Sequence, residues 1–246
     1  NLNRHAMRKL LLFALLLAGQ VRAQFMINPY VYGGIPRDGL QIYWDASNTD
    51  SYPGTGTTFY DLSGNGHHGT MVNGVTYTSG SGGYMNFDGT NDYITNTSYS
   101  VNGLFNCTIH IWKRHAVTYA GAIFSSGGTS ADVVKLNAVS YGFIAGGGSW
   151  FIATDSGSGF TSWKLFTFTY EPGSQKIYEN GVLQIETQSI PGALGTYSGT
   201  RTVLGTDVCC GGFSAVDVGS VAIYNRTFVD SEVLGFFNTT KVRFGY

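Results

Sequence analysis

"WKLFTFTYEPGSQKIYENGVLQIETQ" (residues 163–188) decides how this chain folds. Its alternating apolar and polar runs are cut by two turn dipeptides, Pro172-Gly173 and Asn180-Gly181. The second favours positive φ and hence a two-residue hairpin turn. Period-two alternation sends successive side chains to opposite faces, as a half-buried strand requires. The stretch predicts three consecutive antiparallel strands.

The same reading extends along the chain. "GLQIYWDA" (39–46) alternates and ends in Asp45, while "YMNFDG" and "DYITN" flank the turn Gly89-Thr90-Asn91. "CTIHIWKRH" (107–115) puts Thr108, His110 and Trp112 on one face and Ile109 and Ile111 on the other. "YGFIAGGGSWFIATD" (141–155) folds about Gly146-Gly147-Gly148, and "SVAIYNR" (220–226) reads as a last strand. "DSEVLGFFNTT" (230–240) is the one short helix, with Asp230 and Glu232 in its first turn where they complement the helix dipole. Short strands at regular spacing, with no linker, charge run or repeat, predict one all-β domain over 38–246: a two-sheet antiparallel β-sandwich of jelly-roll type with a short C-terminal helix.

Composition agrees. With 35 glycines, 15% aromatics and only 12% charged residues, the chain suits strands joined by tight turns better than helices. Residues 1–25 differ: Arg8 and Lys9 precede the apolar run 10–19, and Val21-Arg22-Ala23 offers small residues before Gln24, the layout of a secretory signal. That run is too short to span a bilayer. Three other readings of the segment stay open: an uncleaved buried N-terminal helix, a membrane anchor, and a start at Met26 with residues 26–37 as an extended leader. Removing 1–23 takes four basic residues (Arg4, Arg8, Lys9, Arg22) and no acidic one, which carries the net charge from −1 to −5. Neither nucleic acid nor anionic lipid is attracted by that balance, and the signal-like layout makes the expected location extracellular.

Several stretches, in this order, resemble the laminin-G-like jelly roll of the concanavalin A-like lectin/glucanase superfamily: "GLQIYWDASNTDSYPGTGTTFYDLSGNGHHGTMVNG", "YMNFDGTNDYI", "CTIHIWKRH", "KIYENGVLQ" and "VAIYNRTFVDSEVLGFFN". Together they cover roughly 38–241. "DASNTDSYPGTGTTFYDLSGNGHHGT", the leader "NPY" and the tail "KVRFGY" are similar to a subgroup found in structural proteins of tailed bacteriophages. That resemblance implies a virion structural or adhesion protein that meets host-surface glycans and other virion subunits, with homo-oligomerisation open. A secreted bacterial lectin-like protein and a virion subunit without sugar binding are the competing readings. The subgroup caps its C-terminal helix with Ser or Asp; Val229 stands there in this chain, a weaker cap by about 1 kcal/mol.

"DLSGNGHHG" raises the question of a metal. Counted from Asp61, oxygen-bearing residues fall at positions 1, 3 and 5 (Asp61, Ser63, Asn65) with Gly66 at 6, the first half of a calcium loop. The second half fails, because Val72 occupies position 12. A calcium ion here needs further oxygens, for which Asp45, Asp88 and Asp92 are candidates; the resemblance implies a rim calcium with "FDGTNDY" as second contributor. The alternative is turn chemistry, in which Asp61, Asn65 and Asp88 bond their own backbone. Adjacent His67 and His68 face opposite ways on an extended chain, which suits solvated loop residues better than ligands of one ion. Cys107, Cys209 and Cys210 suggest one bridge from Cys107 to a member of the pair and lack the C-x-x-C spacing of a zinc site.

Catalysis finds little support. Hydrolysis on the resembled fold uses paired carboxylates in a Glu-x-Asp-x-Glu strand, and none of Glu171, Glu179, Glu186 and Glu232 begins that pattern. There is no G-x-S-x-G, and the glycine triplet lacks the lysine of a phosphate loop. No catalytic residue is assigned. Binding remains: aromatic faces suit sugar rings, and Trp150, just after a glycine hairpin tip, is the candidate sugar contact, with most other aromatics expected in the core.

Overall fold

In a computed structural model the described residues are 34–114, 121–128, 132–137, 141–144, 150–153, 161–187, 192–195, 197–208 and 212–246. The signal-like segment 1–25 and most of the leader 26–37 lie outside them. The chain divides into two compact units, Asn1–Pro36 and Arg37–Tyr246; only the second is described in any extent.

The strands are β1 (Leu40–Asp45), β2 (Thr58–Phe59), β3 (Gly69–Val72), β4 (Thr76–Thr78), β5 (Tyr84–Asp88), β6 (Tyr93–Asn96), β7 (Cys107–Arg114), β8 (Ala122–Gly127), β9 (Asp132–Asn137), β10 (Tyr141–Ile144), β11 (Trp150–Ala153), β12 (Lys164–Glu171), β13 (Ser174–Glu179), β14 (Val182–Thr187), β15 (Arg201–Leu204) and β16 (Ala215–Tyr224); the helix α1 spans Asp230–Thr240. Eight strands form one sheet in the order β14-β13-β12-β7-β16-β5-β4, with β1 also paired to β16. Six form the second, β2-β3-β6-β15-β8-β9, and β10 and β11 make a separate antiparallel ribbon. Every pairing is antiparallel, and the two sheets stack as the jelly-roll sandwich that the alternation predicted.

The 163–188 stretch folds as expected into β12, β13 and β14, with Asn180 at φ 52° and Gly181 at φ 80° in the tight turn. The turn 89–92 does more than join two strands. It carries the chain from β5 in one sheet to β6 in the other. The last strand is longer than its sequence signal, because its two halves face different partners: Ala215–Val218 pair with β5 and Ser220–Tyr224 with β1, and both halves pair with β7 across a bulge at Gly219. A Cβ at Gly219 would lie 2.6 Å from the Phe244 ring, so the bulge needs glycine to admit the C-terminal tail.

On β7, Ile109 and Ile111 point into the core with Trp44, Phe87, Phe124, Phe166 and Phe168, while His110 and Trp112 point the other way. That outer face is buried as well, because α1 lies on it through Val233, Phe236 and Phe237. Phe236 stacks on His110 with centroids 3.7 Å apart at 2°, and Trp112 stacks on Phe244 at 4.1 Å while its Nε1 donates to Thr240 Oγ1 at 2.8 Å. Each such ring contributes about 1.5–3 kcal/mol by leaving water. Trp44, Trp112 and Trp163 are thus core residues, as expected for most of the tryptophans.

One expectation is corrected. Cys107 is a free thiol, fully buried on the inner face of β7, and burial pushes its ionisation far up. Its surroundings are core side chains, where a thiol behaves as a small hydrophobe. Cys209 and Cys210 lie outside the described residues.

Candidate functional site

The six residues considered for calcium fall in three places. Asp61 sits in the loop between β2 and β3 and has both oxygens engaged: Oδ1 accepts from the Tyr43 and Ser63 amides at 2.9 Å each, and Oδ2 accepts from Ser63 Oγ at 2.6 Å and the His67 amide at 3.0 Å. Asn65 donates its amide to Leu40 O at 2.9 Å. The half-pattern therefore fastens this loop to β1 by turn chemistry. His67 and His68 act apart. His67 Nδ1 lies 2.8 Å from Ser98 Oγ, and His68 Nδ1 accepts from the Asp61 amide at 3.0 Å.

Asp45, at the end of β1, is engaged too. It accepts from Tyr43 OH at 2.7 Å, from Ser47 N and Oγ, and from the guanidinium of Arg243 in the tail. Burial pushes its carboxyl up, but Arg243, Tyr43 and Ser47 outweigh burial and hold it below the usual value. Asp88 and Asp92 share the turn between the sheets: Asp88 Oδ1 accepts from Thr90 N at 2.7 Å, and Asp92 Oδ2 from Asp88 N at 3.3 Å. Burial, then the charge of Asp88, raises the Asp92 carboxyl. The six do not fit as one calcium cage, and among the described residues no three His, Cys, Asp or Glu side chains are grouped to hold a metal. Trp150 is paired with Ile144 in the ribbon; its side chain lies outside the described residues.

A site that sequence reasoning missed lies beside α1. A groove of about 460 Å³ opens on the outer face of the eight-stranded sheet, lined by Thr169, Glu171, Ser174, Lys176 and the segment Thr227–Ser231. Its construction is local. Thr169, Lys176 and Glu186 are cross-strand partners on β12, β13 and β14 and so project from one face. The chain leaving β16 is pinned over this face because Thr108 Oγ1 donates to Arg226 O at 2.8 Å, the Phe228 amide donates to Thr108 Oγ1 at 2.9 Å, and Thr227 Oγ1 donates to Tyr170 O at 2.6 Å. Phe228, 2% exposed, packs against Tyr224 and His110 as the groove's apolar floor.

Charged and hydroxyl side chains stand around that floor. Lys176 Nζ is 3.2 Å from Asp230 Oδ1, which also accepts from Tyr178 OH at 2.8 Å. The Tyr178 hydroxyl and then the Lys176 ammonium hold the Asp230 carboxyl below its usual value. Glu171 and Asp230 are both exposed, unlike a general acid kept protonated by an apolar shell. An apolar floor with convergent hydroxyl, carboxylate and ammonium groups can orient a polar ligand. The three-strand pattern marked which residues face outward; only the docking of 227–231 makes a groove of them.

Among curated proteins no match is found. Domain 4 of AbnA, a GH43 extracellular arabinanase from Geobacillus stearothermophilus solved with arabinotriose, is similar at TM-score 0.58 and 17% identity, covering 80% of this chain and 97% of that one. The botulinum neurotoxin serotype D binding domain gives TM-score 0.63 at 14% identity over 83% of this chain, and Trypanosoma rangeli sialidase with sialic acid gives 0.62 at 12% over 87%. This chain spans 52% of the toxin domain and 35% of the sialidase. A family model, the concanavalin A-like lectin/glucanases superfamily in its Laminin_G_3 form, matches residues 88–234. The chain belongs to the concanavalin A-like lectin/glucanases superfamily.

Proposed function

We propose that this protein is a non-catalytic carbohydrate-binding module whose saccharide site is the groove beside α1. The carrying observation is the groove itself, with hydroxyl and charged side chains around the Phe228 floor on a lectin-family fold. The arabinotriose and sialic acid complexes of two relatives are consistent with a fold used to hold sugars. The non-catalytic reading rests on the sequence, where none of Glu171, Glu179, Glu186 and Glu232 begins a Glu-x-Asp-x-Glu strand, and on three of those four standing in ion pairs, Glu179 with Lys164, Glu232 with Arg226 and Glu186 with Lys176. Asp230 is held as a carboxylate rather than as the protonated acid that glycoside hydrolysis needs.

A place on a virion surface, as an adhesion protein, rests on the phage-like stretch 45–70 and the "KVRFGY" tail. For a rim calcium our reading takes Asp88 and Asp92, each of which accepts one backbone hydrogen bond in the turn, over Asp45 and Asp61, which each accept several. At a hundredfold excess over its Kd, calcium bound there adds about 2.7 kcal/mol of stability, and Asp92→Asn removes the increment. A melting temperature unmoved by calcium and by chelator ends that reading. The glycan reading is tested on the full chain with a polysaccharide array. Expected is binding that weakens at least tenfold in Ser174→Trp, which fills the groove; binding no better than that of an unrelated β-sandwich ends it.

A further inference from the structure

The groove carries a sign, and its sign names a ligand class. Lys176 sits 3.2 Å from Asp230 and 3.8 Å from Glu186, and Glu171 lines the same groove. Three carboxylates thus surround one ammonium, a local charge of −2. The ammonium cannot relieve this by losing its proton, because its hydrogen bond to Asp230, then the charges of Asp230, Glu186 and Glu171, hold its ionisation above the usual lysine value. Within the groove, Lys176 and Tyr178 both donate to Asp230 Oδ1. The side chains of Glu171 and Ser231, on the end of β12 and the first turn of α1, make no hydrogen bond or ion pair among the described residues. What the groove still offers an incoming molecule is therefore acceptor oxygen and negative potential, placed at the β12–β13 turn and the start of α1.

Resting on the saccharide reading above, we propose that the groove selects sugars bearing protonated amines over acetylated ones, and rejects sugars bearing carboxylates. A ligand ammonium meets Glu171 and the open side of Asp230, while a uronate or sialyl carboxylate meets the same groups as repulsion. Each exposed charge pair changes affinity by a factor of about 2 to 5, so two together give roughly tenfold. Exposure makes the preference sensitive to salt.

The test is calorimetric titration of the full chain, in slightly acidic buffer, with three oligosaccharides of equal length: a β-1,4-glucosamine oligomer, its N-acetylated form and an oligogalacturonate. Expected is an affinity order of amine, acetylated, acidic, with the first step about tenfold. The order should collapse in the Glu171→Gln/Asp230→Asn double variant and in high salt. Lys176→Gln should push it further toward the amine, a shift that general loosening of the groove would not produce. Equal binding of all three, or a preference for the uronate, or a preference that survives the double variant overturns the proposal and leaves the saccharide reading standing. No binding of any of the three by protein with a native circular dichroism spectrum overturns both.

Discussion

Acid should loosen α1 through His110. The imidazole is buried on β7, stacked face to face on Phe236 and edged by Phe228 and Tyr224, with Nδ1 2.8 Å from Thr167 Oγ1 and Nε2 without a hydrogen-bond partner. Of the charged groups around it, Arg226 opposes a proton, and no carboxylate contributes in its favour. Burial first, then Arg226, holds its ionisation well below the ordinary histidine value of about 6.5. The native state therefore keeps His110 neutral while the unfolded chain takes up a proton below about pH 6.5. Stability is full above that value and falls as pH drops beneath it, by at most about 1.4 kcal/mol per pH unit. Down to about pH 5 the loss approaches 2 kcal/mol, or about 4–8 °C in Tm for a domain of this size. The carboxylates held low by partners, Asp45, Asp230 and Glu232, give up their contribution only below about pH 4.5, outside this window. His67, lowered mainly by burial, acts in the same sense and is controlled by His67→Gln. Melting curves at several pH values should show a flatter slope in His110→Gln than in the wild-type protein. Equal slopes in the two refute the reasoning.

Other outcomes follow from single contacts. Val229 has the extended backbone of an N-cap but no side-chain acceptor, so Val229→Ser should stabilise by about 1 kcal/mol and raise Tm by a few degrees in calorimetry. Arg243→Met leaves the Asp45 carboxylate buried without its cation and should cost about 2–4 kcal/mol in urea unfolding, part of it recovered by adding Asp45→Asn. Cys107 should resist thiol reagents in the native protein and react in denaturant; peptide mapping that finds it labelled without denaturant contradicts its burial.

Much of the fold was legible because its signals are local. Residues 163–188 carry their strands and their turns in one stretch, and the two faces of β7 follow from alternation alone. Which sheet a strand joins is a different matter: β5 and β6 sit four residues apart in sequence and belong to different layers, and nothing in a period of two distinguishes that from a hairpin. The burial of His110 and Trp112 depended on Phe236 and Phe237 arriving from far along the chain. Asp61 shows a second limit, since a calcium ion and a set of backbone amides want the same carboxylate lone pairs and select the same residue types. The groove shows a third. Thr169, Lys176 and Asp230 are ordinary surface residues until the segment after β16 crosses the sheet, so their meeting is a property of topology.

The position of β16 has a consequence for biosynthesis. This strand is the last of the sheet in sequence yet holds its middle: β7 with the β12–β14 meander lies along one edge, and β5 and β1 lie along the other. Until residues 215–224 leave the ribosome the two sides have no backbone to bond, and their strand edges stand open to any other chain nearby. Completion of the eight-stranded sheet therefore waits for residues 215–224. A nascent or truncated chain ending before Ala215 should depend on chaperones and be prone to aggregate, whatever the stability of the finished product.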